Sequence, residues 1–175
     1  MTKIIQPFNW PKLMTALEIN HYDAAGQCIY EEKNLPNLWH IEGQQFVLSL
    51  AFDTESGFEA PSNYYLGLDN RGTIDIEDTL ELISDEPSTN GYARQAVSSS
   101  SGFAIGISDG KLKATTGVLT FVASGGSWGP VSNLFLATTI NNTGLLIATV
   151  ALSSTRTIAD GESFTVRAGL SLGGC

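Results

Sequence analysis

Ser163-Phe164-Thr165-Val166-Arg167-Ala168-Gly169-Leu170-Ser171-Leu172 alternates without a break. Phe164, Val166, Ala168, Leu170 and Leu172 fall on one side, and Ser163, Thr165, Arg167, Gly169 and Ser171 on the other. Successive side chains of an extended chain point to opposite faces, so this period of two describes a strand with one buried and one wet face. Shorter stretches of the same kind precede it: Tyr64, Leu66 and Leu68; Leu80 and Leu82; Tyr92 to Val97; Phe103, Ile105 and Ile107; Val118 to Ala123; Asn133 to Ile140; Leu145 to Leu152. Turn chemistry separates them. Asp109-Gly110 suits a two-residue type I′ turn between Ile107 and Lys111, and Asn141-Asn142-Thr143-Gly144 suits another reversal. Near the start, Leu17, Ile19 and His21 alternate with Glu18, Asn20 and Tyr22; Asp23 to Gln27 turns, and Cys28 to Glu31 returns as a hairpin. Roughly nine to eleven short strands result, at the spacing of a sandwich or barrel. Alternating βαβ units are absent. The expected class is all-β, an antiparallel β-sandwich of jelly-roll or immunoglobulin-like kind.

One segment breaks the β pattern. Beyond Asn34-Leu35-Pro36-Asn37, the residues Trp39, Gly43, Phe46 and Leu50 recur at helical spacing, with Val47 and Ala51 widening the stripe. The spacing predicts a helix over 39–52 with Asn37 as its N-cap. Gly43 weakens such a helix by about 1 kcal/mol relative to alanine.

The chain divides into an N-terminal arm, residues 1–15, and a single domain, residues 16–175. In the arm, Pro7 and Pro11 flank Phe8-Asn9-Trp10. Proline blocks helix continuation and interior strand pairing, and the two rings need a cover. The arm therefore either packs on its own domain or inserts into a partner. Phe8 and Trp10 are the expected partner-contact residues, together with Trp128, which sits in the irregular run Ser124 to Pro130 and plugs a gap or a neighbour.

Of 175 residues, 42% are hydrophobic, enough for one ordinary core. No apolar run reaches the length of a membrane span, and Lys3 to Pro7 shows no secretory signal, which points to synthesis in a cytosol. The net charge is −9 and unevenly placed: residues 1–87 carry 15 acids against four bases, while the remainder carries three against five. Without a Lys/Arg stripe, neither nucleic acid nor an anionic membrane is an expected partner. After Pro87 the chain has eight charged side chains but 13 of the 18 glycines, a poor stock for catalysis. Cys28 reads as a small core hydrophobe, and Cys175 as an exposed terminal thiol.

The candidate chemical motifs fail on composition. Asp69-Asn-Arg-Gly-Thr-Ile-Asp75 resembles the start of a calcium loop, but Arg71, Ile74 and Leu80 stand where an EF-hand needs a ligand, a glycine and a glutamate. It is expected to be a loop of surface acids. Asp75, Glu77, Asp78, Glu81, Asp85 and Glu86 read as a solvated rim rather than a glycosidase pair. His21 and His40 lie in different elements with no companion ligand or nucleophile elbow, and read as partly buried structural histidines. The run Gly125 to Pro130 lacks the Lys-Ser/Thr ending of a phosphate loop. No catalytic residue, cofactor or metal site is expected. Ser and Thr faces near Trp and Tyr leave a carbohydrate-binding module as an alternative.

The order of several segments resembles a group of tailed-phage virion proteins whose genes tend to lie near the major capsid protein gene. The segments are Tyr30-Glu-Glu-Lys-Asn-Leu35, the helix over Ile41 to Phe52, Tyr64-Tyr-Leu-Gly-Leu68 and Asp78-Thr-Leu80. Gly91-Tyr-Ala-Arg-Gln-Ala96, Asn133-Leu-Phe-Leu-Ala-Thr138 and Ala151 to Val166 with its Ala159-Asp-Gly-Glu162 turn complete the set. The resemblance covers most of residues 16–172 and implies a non-enzymatic virion protein. Its expected role is a decoration (cement) or head-fibre-like protein on the capsid exterior, with the major capsid protein and copies of itself as partners. A tail-associated fibre or receptor-binding module is the alternative it leaves open.

Overall fold

Alternation in the sequence translates directly into antiparallel pairing. The computed structural model describes residues 14–53, 57–108 and 111–171. Within them run β1 (Met14–Tyr22), β2 (Cys28–Trp39), α1 (Ile41–Phe52), β3 (Asn63–Asp69), β4 (Gln95–Ser98) and β5 (Phe103–Ser108). β6 (Lys111–Thr116), β7 (Leu119–Val122), β8 (Trp128–Ala137), β9 (Leu146–Ile158) and β10 (Ser163–Ser171) follow. The hydrogen-bonded order is β4-β3-β8-β9-β2-β1-β10-β6-β5, with β7 also on β10. Two antiparallel layers pack as the expected sandwich. The arm residues up to Leu13, with Phe8 and Trp10, lie outside the described residues, as do Asp109-Gly110, Leu172 and Cys175.

β2 joins the layers. Its first part pairs with β1 as far as Thr15↔Pro36, and Asn37, Leu38 and Trp39 then pair with β9. The expected break at Asn34 to Asn37 is therefore no break: the strand changes partner there. Asn34 takes a left-handed conformation (φ 56°), which asparagine tolerates better than most residues. Because β9 claims Asn37 and Trp39, the helix starts at Ile41 instead of 39. His40 occupies the N-cap position, without a side-chain capping bond, in place of Asn37.

The inter-sheet core holds Ile19, Leu66, Leu68, Phe121, Leu134, Leu136, Val150, Phe164 and Val166. Alternation places the opposite faces of β3, β8 and β9 outside, yet Phe135, Ala137 and Leu146 are buried there under Leu80 and Ile83. The segment between β3 and β4 folds over that face, so Asn133 to Ala137 is covered on both sides. Leu80 and Leu82, expected as a strand, instead form a short 3₁₀ turn (Leu80–Leu82) that drops Leu80 into this second core and leaves Leu82 exposed. Gly67 makes room for the Phe135 ring; a β-carbon there would stand 2.2 Å from it.

α1 is packed on β9. The His40 N–H donates to the Ile147 carbonyl (3.2 Å) and the Ile41 N–H to the Ile76 carbonyl (3.0 Å). Gly43 and Phe46 are its buried residues, so the inward stripe is narrower than expected, and Leu50 lies partly in solvent. Phe46 meets Phe58 and Tyr64 edge-on. Cys28 is exposed and not a core residue. It opens β2 at a hairpin end, where nothing covers it, and its thiol donates to the Tyr30 carbonyl (3.3 Å).

Candidate interaction surface

Three acids of the N-terminal half, Asp69, Asp78 and Glu86, are paired internally. Asp69, at the end of β3, is fully buried. Its carboxylate accepts from Arg71 Nε (3.0 Å) and from Asn133 Nδ2 (2.7 Å), and Arg71 also reaches Asp78 at 3.0 Å. Arg94 donates to both oxygens of Glu86, to the carbonyls of Thr139 (3.1 Å) and Asn141 (2.9 Å), and to the Asn142 side chain. Its guanidinium lies 4.9 Å from the Phe135 ring centroid. The expected reading of Asp69, Asp78 and Glu86 as surface acids is thus corrected. Arg71 and Arg94, the cations nearest the acidic cluster, fold over them and pin the segment between β3 and β4 to the sheet.

Tyr92 belongs to the same network. Its hydroxyl donates to Glu86 Oε1 (2.7 Å) and accepts from the Leu68 N–H (2.8 Å). Burial, then the Glu86 charge, raises its pKa well above the ordinary tyrosine value. The ring stacks on Phe121 and meets Trp128 edge-on.

Both histidines are buried. His21 Nε2 lies 2.8 Å from Glu162 Oε2. The Ala159 N–H, more than His21, holds the Glu162 carboxyl below the usual carboxylate range. His40 Nε2 lies 2.7 Å from Thr149 Oγ1, and burial, then the Arg71 charge, lowers its pKa. They sit in β1 and before α1, each with its own partner. Among the described residues, no group of three His, Cys, Asp or Glu side chains could hold a metal ion.

What the surface offers instead is apolar. Ile41, Leu48 and Phe52 line up at i, i+7 and i+11 along α1, opposite Gly43 and Phe46, and Phe52 is 84% exposed. A helix on a core ordinarily keeps that side polar. The spacing was present in the sequence, where one apolar stripe was read and this second was missed. The β5–β6 hairpin is the other apolar region. β5 is an edge strand, with Ile105 74% and Ile107 80% exposed, and Leu112 beside them in β6. Between hairpin and helix runs a groove, in two compartments of about 240 and 250 Å³ that share Val47, Ile105, Ala114 and Leu170. Uncharged apolar edges favour association, and natural proteins usually blunt them.

Of the three expected contact residues, Phe8 and Trp10 lie outside the described residues. Trp128 opens β8 and is 4% exposed, its indole N–H donating to the Asn90 carbonyl (2.9 Å). Beside it an open polar cleft of about 370 Å³ is lined by Glu86, Ser88, Thr89 and Pro130. The buried ring offers that cleft no broad face on which a sugar could stack.

Residues 44–171 match the model of a family described as Podophage GP4 fiber I protein gp80. The match runs from the first turn of α1 to the end of β10, so it contains both the helix and the β5–β6 hairpin. No curated protein matches the chain.

Proposed function

This chain belongs to the podophage GP4 fiber I protein gp80 family, and from that membership we propose that it is a fibre component of a phage virion, acting by protein–protein contact and without catalysis. The carrying observation is the outward apolar row Ile41, Leu48 and Phe52 on a helix whose opposite side is already packed. Apolar side chains in a row suit burial against another protein. The neighbours are other virion proteins, copies of this chain among them, and symmetric repetition multiplies modest contacts into avidity. Arg71 and Arg94 pair with Asp69, Asp78 and Glu86, which ties the segment between β3 and β4 to the sheet.

A cement on the outer shell, bound to the major capsid protein, is the second reading, supported by the segment order of the sequence. Electron microscopy of virions decorated with gold-labelled antibody against this chain separates the two. Gold on fibres is expected. Gold spread evenly over the head shell overturns the fibre reading in favour of the cement.

A further inference from the structure

We propose that a cleft where β3 starts and β8 ends binds a neutral pyranose, the six-membered ring of a sugar, against Tyr65. The position of Tyr65 follows from alternation. Tyr64, Leu66 and Leu68 point into the inter-sheet core, so Asn63 and Tyr65 point to the outer face of the sheet. There Tyr65 stands opposite Ala96 in β4 and Ala137 in β8. A methyl group on either side is too short to cover an aromatic ring, and Tyr65 stays partly open to solvent. Beside it lies an open cleft of about 370 Å³, lined also by Pro61, Ser62, Asn63, Ile140 and Asn141. That volume is at the low end for small-ligand sites, which suits a sugar ring.

The chemistry of the lining points the same way. No Asp, Glu, Lys, Arg or His lines the cleft, so it holds nothing that would select a charged ligand. Among the described residues, the hydroxyls of Tyr65 and Ser62, the side-chain amide of Asn63 and the Nδ2 of Asn141 have no hydrogen-bond partner. Hydroxyls and amides both donate and accept, which matches the neighbouring hydroxyls of a sugar, themselves donors and acceptors. The negative face of the tyrosine ring suits the weakly positive C–H bonds of a pyranose, and Pro61 and Ile140 add apolar edges. The walls are fixed before a ligand arrives. The Asn141 carbonyl accepts from Arg94 (2.9 Å) and from Thr139 Oγ1 (2.7 Å). Its Oδ1 accepts from the Thr143 N–H (3.2 Å) and Oγ1 (2.7 Å), which leaves Nδ2 to donate into the cleft. On the other wall the Ser62 carbonyl accepts from the Ser99 N–H (3.0 Å) and hydroxyl (3.2 Å). Walls held in this way lose little entropy on binding. None of these residues belongs to the apolar row of α1, so the inference stands whether the protein sits on a fibre or on a shell.

Titration of the isotope-labelled full chain tests it, with the methyl glycosides of glucose, galactose, mannose and N-acetylglucosamine as probes. At millimolar concentration at least one of them should move the amide signals of Ser62 and Tyr65 and the side-chain signal of Asn141. The Ser88 amide, beside the Trp128 cleft, should stay in place. Tyr65→Ala should weaken the binding about tenfold or more, through loss of the ring. Asn63→Lys, at the exposed start of β3, should abolish it by filling the cleft while the ring remains. Still signals at Ser62, Tyr65 and Asn141 with all four glycosides overturn the proposal. Binding that persists undiminished in either variant also overturns it, because the sugar then lies elsewhere. Tighter binding of methyl glucuronide than of methyl glucoside overturns the neutral assignment.

Discussion

Gly43 in α1 meets the backbone of Ile147 in β9 so closely that a β-carbon on it would stand 2.3 Å from the Ile147 carbonyl oxygen. The Trp39 indole nitrogen would be 2.8 Å away on another side. Gly43→Ala gains about 1 kcal/mol of helix propensity. It must also push the helix off the strand, and overpacking of this kind costs about 1–3 kcal/mol. The obstacle is backbone, which cannot rotate aside, so the loss dominates. Urea unfolding should show a lower midpoint for Gly43→Ala; a midpoint above that of the native chain would show that the helix can shift freely.

Glu42 ties three segments with one oxygen. Its Oε2 accepts from the Leu80 N–H (3.1 Å) and the Leu146 N–H (2.7 Å), linking α1 to the 3₁₀ turn and to β9. Glu42→Ala strands both donors, at about 1–3 kcal/mol each when buried. Amide exchange at Leu80 and Leu146 should accelerate in the variant, while amides of the β1–β10 ladder hold their protection. Unchanged exchange at both positions counts against the tie.

Arg94 answers to its shape as well as its charge. Its fork satisfies Glu86, two backbone carbonyls and Asn142 together. Lysine brings one compact ammonium and cannot span that set. Arg94→Ala should cost about 3–5 kcal/mol, since Glu86 loses its only cation and keeps just the Tyr92 hydroxyl. Arg94→Lys should recover less than half of the loss in thermal unfolding. Full recovery would reduce the site to a simple charge pair.

Acid sensitivity should come in two stages. In the native state His40 has a pKa below 6.5, chiefly through burial. From about pH 6.5 down to that lowered value the unfolded chain takes up the proton and the native chain does not, so stability declines as pH falls. Glu162, held below 4.5 first by the Ala159 N–H, contributes stability that is present above 4.5 and lost as pH falls through its native value. Urea midpoints across this range should show both declines, and His40→Gln should remove the upper one. An upper decline that survives in His40→Gln would assign it to another group.

Much of the architecture was readable beforehand. Phe164, Val166 and Ala168 are buried, as their alternation requires, and the hairpin of β1 with β2 stands where the turn residues placed it. His21 and His40, expected to be partly buried, are both fully buried. The errors share a cause. Leu80, Asp69, Asp78 and Glu86 were misjudged because the segment between β3 and β4 folds onto a sheet face, and no local period records what a distant segment covers. Cys28 was misjudged because an apolar strand-like run does not say which end of the strand protrudes.

A period of two is a local property of the backbone, so the chain's own order of residues was enough to set an antiparallel sandwich with one helix. It also set the uneven distribution of charge between the two halves. Partner choice is different in kind. That Arg71 meets Asp69 and Asp78, that Arg94 meets Glu86, and that Gly43 is a contact with Ile147 all depend on segments brought together by packing. The apolar groove of Val47, Ile105, Ala114 and Leu170 likewise exists only after α1, β5, β6 and β10 converge, because contact across long sequence separations is made by the fold and leaves no periodic trace in the chain.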